Sequence, residues 1–327
     1  MTDTATLLAA PELCGANLSG ADLSGASFAG KTLANCRLAG ADLTGCDFTG
    51  ATVTGCDCAD ARLEDAVLDE ISCENTSFAG AVLTGASLVR ASLAGVNLDR
   101  AHLERALLQE TSLKDVHWLG ASFAQATLRG LAGLPMWDGA DLTQTHCLEC
   151  DCANLRIIRC TAPMLMFQRC RGQDMLWADS DLTQCMAMDG DFSGSSFLRC
   201  SLTRAAFMGS NLTRCSFAGS DLAESHCQNS NLSLAVLTGV PLLKANLSGA
   251  DCSRTDFTGA NLTMADLSHA VVERAVFDKA NLTLANLHAA DISRASTAGA
   301  NLTGMRGTDP ALLRAENFRT PAMTAKG

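Results

Sequence analysis

From Leu13 to Leu128 every fifth residue is apolar or Cys, 24 positions in succession, and 20 of these are Leu or Phe. Two residues before each stands a small side chain, as at Ala16, Ala21, Ala26, Cys36 and Ala41. In that series 19 of 24 are Ala, Cys or Thr, with Lys31 and Ile71 among the exceptions. From Leu142 to Leu302 the same period returns, shifted by one residue, for 33 further positions, interrupted at Ala162, Gly172, Ala187 and Thr297. A period of five matches neither the helical turn nor the alternation of a long strand. It suits a short strand followed by a corner. With the large residue called i, positions i−2 and i point inward, i−1 and i+1 point outward, and i+2 turns the chain. Gly20, Gly25 and Gly50 at i+2 ease that turn.

The aromatic residues give the number of walls. Trp137, Trp177, Phe197, Phe217, Phe257 and Phe277 are separated by multiples of 20, with Leu237 in the same series. None falls in the Leu142/Leu182/Leu222 series. Four quintets per coil follow, with an aromatic ladder on one inner wall and small and large side chains alternating in a packed interior. The chain supplies about 14 such coils at about 4.8 Å each. The quintets themselves, such as Ala21-Asp22-Leu23-Ser24-Gly25 and Ala260-Asn261-Leu262-Thr263-Met264, resemble the pentapeptide-repeat family over roughly residues 11–305. The resemblance implies an all-β fold, a right-handed quadrilateral parallel β-helix, whose motif residues are structural and include no catalytic position.

The expected organisation is an N-terminal cap over 1–10, a first-phase β-helix over 11–130 and a break or loop over 131–139. A second-phase β-helix over 140–307 and a C-terminal helix and tail over 308–327 follow. Between Leu128 and Leu142 the spacing is 14 rather than 15, and Gly and Pro crowd residues 129–139. Either one residue is missing from a coil, or a loop projects as a recognition element or hinge. Asp309-Pro310 predicts an N-cap and a first helical residue. Leu312, Leu313 and Phe318 are expected to cover the last coil, and the same helix is the expected place for a homodimer contact.

Composition sharpens this picture. Apolar residues make up 47% but aromatics only 5%, with no Tyr, so small and medium side chains must fill the interior. The net charge of −11 argues against direct nucleic-acid binding. The densest acidic group, Asp57, Asp60, Glu64, Asp65, Asp69, Glu70 and Glu74, circles one coil as a belt, and only Glu64/Glu104 and Glu70/Glu110 recur two coils apart. Family members that protect DNA gyrase from quinolones resemble duplex DNA. The alternative function implied is therefore a DNA-mimicking inhibitor or protector of gyrase or topoisomerase, which needs carboxylates along the rod. No stretch reaches the ~18–20 apolar residues of a membrane span, and Met1–Pro11 lacks a basic segment and an apolar run. Sixteen cysteines without such a leader lead us to expect a cytoplasmic protein with no membrane association.

Candidate chemistry is sparse. Cys147, Cys150 and Cys152 beside His146, and Cys56 with Cys58, have zinc-like spacing. Yet 15 of 16 cysteines occupy i or i−2, as small buried apolar groups. No metal and no cofactor is expected. His102, His117, His146, His226, His269 and His288 all fall at outward positions without a nucleophile and base in sequence reach, so the chain is read as a non-enzyme. Two surfaces remain. Arg254, Arg274 and Arg294 recur every 20 residues at i+2, with Arg314 continuing the spacing, as an edge for an acidic partner unless Asp256, Glu273 and Asp278 neutralise it. Met166 and Met186 at i−1, Met188 and Met208 at i+1, and Met164 at the adjoining corner form one outward patch from five of the eleven methionines. Such patches mark contact surfaces, and Met suits adaptable ones. The expected function is a non-enzymatic scaffold or adaptor docking a protein partner through that patch. A weaker resemblance to members associated with bacterial type VI secretion implies a setting for it.

Overall fold

Each quintet forms one wall of a four-sided tube. In the first coils Leu23, Phe28, Leu33 and Leu38 are at most 3% exposed and meet in a common interior. The residue at i+2 takes left-handed backbone, whether glycine, as at Gly25 (φ 68°), or not, as at Asp65 (φ 56°) and Arg90 (φ 55°). A side chain in that conformation costs roughly 1–2 kcal/mol, which the hydrogen bonds of the corner offset. Ala26 N–H donates to Leu23 O (2.9 Å) across the turn, while Leu23 N–H donates to Asp42 O (2.8 Å) in the next coil. Asp and Asn are frequent at i−1 because their carboxylate or amide oxygen accepts the N–H two residues on, as from Ser24 to Asp22 (3.1 Å) and from Thr213 to Asn211 (3.1 Å).

The computed structural model describes residues 10–317. Residues 1–9 of the expected N-terminal cap, and Phe318, lie outside them. Strands are parallel and only two or three residues long. Six of them, from Glu12–Cys14 to Ser112–Lys114, pair in order on one wall. Five, Leu107–Gln109, Thr127–Arg129, His146–Leu148, Met166–Gln168 and Met186–Met188, build a second sheet. Four, from Trp137–Asp138 to Ser196–Leu198, build a third. Register steps by twenty residues, as in Leu13 with Leu33 and Ile157 with Trp177. Strands are confined to Glu12–Leu198, about nine turns at that step, and the rest of the 14 coils expected carry no regular strand. Beyond Leu198 successive coils are joined by isolated bridges, such as Asn211 to Asn231 and Asn281 to Asn301.

The irregular stretch is a shortened coil. Thr127 pairs with His146 and Leu128 with Cys147, a step of nineteen. Leu131 (1% exposed) and Trp137 (0%) still point inward, so the missing residue is absorbed along the wall between them. The aromatic ladder runs through the join. Trp118 stacks on Trp137 (5.8 Å between centroids, 22°), Trp177 on Phe197 (5.5 Å, 17°), Phe197 on Phe217 (4.9 Å, 4°) and Phe257 on Phe277 (5.0 Å, 2°).

Position i−2 has its own logic. Where the small residue carries a hydroxyl or thiol, it donates a second hydrogen bond to the carbonyl of a large residue in the coil before. Thr111 Oγ1 donates to Leu88 O (2.7 Å), Ser220 Oγ to Phe197 O (3.0 Å) and Cys46 Sγ to Leu23 O (3.0 Å). Ala lacks such a hydrogen but fits the same buried space, so Ala, Ser, Thr and Cys share the position. All sixteen cysteines are free and fifteen are buried. Burial pushes the Cys46 and Cys56 thiols up to about 11 and Cys73 to about 12, so they stay protonated at neutral pH.

The C-terminal end departs from expectation. Helix Pro310–Glu316 forms, with Asp309 Oδ1 accepting from Ala311 N–H (2.8 Å) and Leu312 N–H (3.3 Å). None of its residues is buried, Leu312 is 47% exposed, and Leu302 of the last coil is 39% exposed. Among the described residues, then, Leu312 and Leu313 do not cover the coil end. The helix lies instead against the wall at His269 and His288. No helix of the described residues is long and apolar enough to cross a membrane.

Candidate functional site

The outer surface of the five-stranded sheet carries the methionines. Met166 pairs with Met186, Phe167 with Ala187 and Gln168 with Met188, and His146 stands beside Met166 one coil earlier. Met186 continues to Ala206, and Asp189 N–H donates to Met208 O (3.1 Å). Met164 and Met208 are exposed, whereas Met166, Met186 and Met188 are half-buried by one another and by the wall. The inward side chains between them, Phe167, Ala187 and Phe207, are 2%, 5% and 1% exposed. All five predicted residues are therefore on one outward face.

A shallow hollow of about 360 Å³ runs along the corner of this face, lined by Gln125, Gln144, His146, Met164, Met166 and Met186. No residue of the 129–139 stretch lines it. Met164 holds the left-handed corner (φ 56°) directly after Gln144 (φ 56°) and Gln125 (φ 61°) in the same corner column. Gln125 Nε2 donates to Gln144 Oε1 (3.1 Å), and Gln144 Nε2 donates to Met164 Sδ (3.8 Å), which orients the thioether. Beneath the face the large residues of the repeat give way to Ala162, Gly172 and Ala187. Phe167, Trp177 and Phe192 fill the space, Phe167 meeting Trp177 edge-on at 5.4 Å and Phe192 at 6.3 Å. A Cβ on Gly172 would lie 2.7 Å from the Phe192 ring, and one on Gly190 would meet the same ring.

The arginine edge is less regular than its spacing. Arg254 and Arg274 occupy left-handed corners (φ 58° each), but Arg294 does not, because residues 290–295 lose the ladder to the coil below. Arg294 reaches back to Glu273 (2.9 Å), with Arg274 3.9 Å from the same carboxylate oxygen. Arg314 stands on the helix rather than in the corner column. Of the three expected counter-charges only Glu273 serves. Asp256 accepts from Thr258 N–H (2.9 Å) and Asp278 from Ala298 N–H (2.8 Å).

One cluster escaped the sequence pattern. His288, placed outward by the repeat, is 6% exposed beneath the C-terminal helix. Its Nδ1 accepts from Asp309 N–H (3.1 Å), and its Nε2 lies 3.1 Å from Glu316 Oε2, with His269 Nε2 3.4 Å from the same oxygen. Three ligand-type atoms within 4.8 Å suggest a divalent cation site. The proton position argues otherwise. An Nδ1 that accepts from a backbone N–H puts the ring proton on Nε2, the atom a metal would need, and Nε2–H donates to Glu316. The cluster latches the helix to the wall. The nineteen-residue spacing of the two histidines, which stacks i+2 of one coil under i+1 of the next, is the signal that would have found it.

A family model described as pentapeptide repeats matches the chain in eight copies over residues 16–55, 56–93, 86–117, 200–239, 215–251, 242–274 and 265–304. Among solved structures the chain is similar to HetL, a pentapeptide repeat protein involved in heterocyst differentiation regulation from the cyanobacterium Nostoc sp. strain PCC 7120. That match has 22% identity, covers 90% of this chain and 87% of HetL, and has a TM-score of 0.23. It is similar also to the pentapeptide repeat protein Rfr23 of the cyanobacterium Cyanothece 51142 (27% identity, 33% and 84% covered, TM-score 0.21). A third is QnrB1, a plasmid-mediated fluoroquinolone resistance protein (16% identity, 70% and 98% covered, TM-score 0.23). No curated protein sequence matches the chain.

Proposed function

Because this chain belongs to the pentapeptide repeat family, we propose that it is a non-enzymatic protein-binding scaffold, a β-helical rod that docks a protein partner through its methionine face. The observation that carries the reading is the stacking of Met164, Met166, Met186, Met188 and Met208 on one outward surface. Exposed apolar patches of this kind favour association, and thioethers adapt their shape to what they meet. One corner of the face is bordered by Gln125 and Gln144 with His146 beside them, and the other by Glu149, Arg169 and Asp189, so the partner is an apolar surface with a polar border that meets both uncharged and charged groups. Cytoplasmic residence belongs to the same proposal and is supported by fifteen buried free thiols. The association with type VI secretion rests on the resemblance alone and adds no residue to the site.

Affinity purification from the native cell, with mass spectrometry, identifies the partner. Met186→Asp combined with Met188→Asp is expected to abolish its capture, because burying two carboxylates in an apolar contact is strongly unfavourable, while the circular dichroism stays unchanged. Capture retained by the folded variant contradicts the reading.

The DNA-mimicking alternative draws less support from the charge pattern. Carboxylates alternate with arginines from coil to coil, as in Glu70–Arg90 and in Asp138–Arg159 followed by Asp179–Arg199. A duplex-like surface needs unbroken negative charge. In a gyrase supercoiling assay the protein is expected to have no effect at micromolar concentration.

A further inference from the structure

The hollow on the methionine face has a distinctive donor set. Three thioethers, from Met164, Met166 and Met186, and one imidazole, from His146, line a single concavity. His146, Met166 and Met186 are direct neighbours on three successive parallel strands, so their side chains leave the wall about 4.8 Å apart, in one direction. Met164 joins from the corner two residues before Met166, its sulfur already oriented by the Gln125–Gln144 amide chain. No carboxylate or thiol lines the hollow.

We propose that this hollow is a binding site for a soft monovalent cation, Cu(I), held by the sulfurs of Met164, Met166 and Met186 and the imidazole of His146. Donor chemistry makes the selection. Hard divalent cations require oxygen ligands, commonly carboxylates, and zinc favours thiolate, imidazole and carboxylate over thioether. Thioethers and imidazole together select Cu(I) among the common metals. All four donors are neutral, so the bound ion keeps its single positive charge, which the protein's net charge of −11 favours. Binding needs no redox step, because the ion enters and leaves as Cu(I). The site shares the docking face but does not rest on the docking reading, and Met188 and Met208 lie outside the hollow.

The test uses the full chain carrying Cys14→Ser, which removes the one exposed thiol. Anaerobic titration with Cu(I) buffered by bicinchoninate is expected to give one ion per chain. Met166→Leu combined with Met186→Leu, which keeps the apolar area, should weaken binding at least tenfold, as should His146→Phe. With Ag(I) as a redox-inert probe and 13C-methyl methionine, the methyl resonances of Met164, Met166 and Met186 should shift while those of Met188 and Met208 stay. No bound Cu(I), undiminished binding in the leucine variant, or shifts at other methionines overturns the proposal. The two readings fail separately. Met188→Asp, outside the hollow, is expected to impair partner capture and leave Cu(I) binding intact.

Discussion

The acidic belt of residues 57–74 and the methionine face of residues 164–208 are displayed by the same scaffold, and they differ in what their side chains already touch. In the belt, Asp57 Oδ1 accepts from Ala59 N–H (3.1 Å), and Glu64 accepts from Thr44 Oγ1 (3.2 Å) and pairs with Arg62 (3.4 Å). Asp69 accepts from Val89 N–H (3.0 Å), and Glu70 pairs with Arg90. Most of these carboxylates close a turn or neutralise a neighbour. On the methionine face the outward thioethers have mainly one another for neighbours, and the charged corner beside them pairs within itself, Arg169 with Glu149. The difference teaches that a conspicuous cluster of charge on a solenoid can be an internal requirement of the coils, whereas an apolar cluster facing water meets no need of the wall that bears it.

If the face is a shaped surface, its core must hold it in place, and the largest expected effect is there. Phe192→Ala, which empties the space shared with Phe167, should destabilise the protein by about 3–5 kcal/mol in chemical denaturation. A loss no larger than that of an exposed belt residue would erase the contrast. Gly190→Ala is the opposite perturbation. Its new methyl meets the Phe192 ring, and overpacking of this kind costs about 1–3 kcal/mol, read as a lower denaturation midpoint at unchanged slope.

The smallest effect belongs to the acidic side. The Thr44 hydroxyl and N–H hold Asp42 below the ordinary carboxylate range, and Thr49 does the same for Asp47. A carboxyl lowered in the folded state adds stability above its unfolded value, about 3.9, and loses it as pH falls through the lowered value. The melting temperature should therefore hold from neutrality to about pH 5 and decline only below about pH 4. A decline beginning near neutrality would mean that other groups dominate.

Much of this architecture was legible in the sequence because five-residue periodicity assigns direction residue by residue. Leu33, Cys36 and Phe197 are inside and Met186 is outside, as the phase predicts. The path of residues 129–139 was not legible, since a missing residue and an added loop leave the same phase shift, and only the pairing of Leu128 with Cys147 separates them. The departures at Arg294, His288 and Leu312 share a cause. At the end of a stack a coil has a neighbour on one side only, so residues 290–295 leave the ladder although Ile292 keeps the repeat, and a helix occupies the wall that periodicity had assigned to water.

The inward and outward assignment is tested most directly by methionine oxidation with dilute peroxide, followed by mass spectrometry of the native protein. Met164, Met186 and Met208 should form sulfoxide readily, while Met175, at i−2 and 1% exposed, should stay reduced until the protein unfolds. Oxidation of Met175 as fast as Met164 in the folded chain, or protection of Met186 equal to that of Met175, would contradict the account.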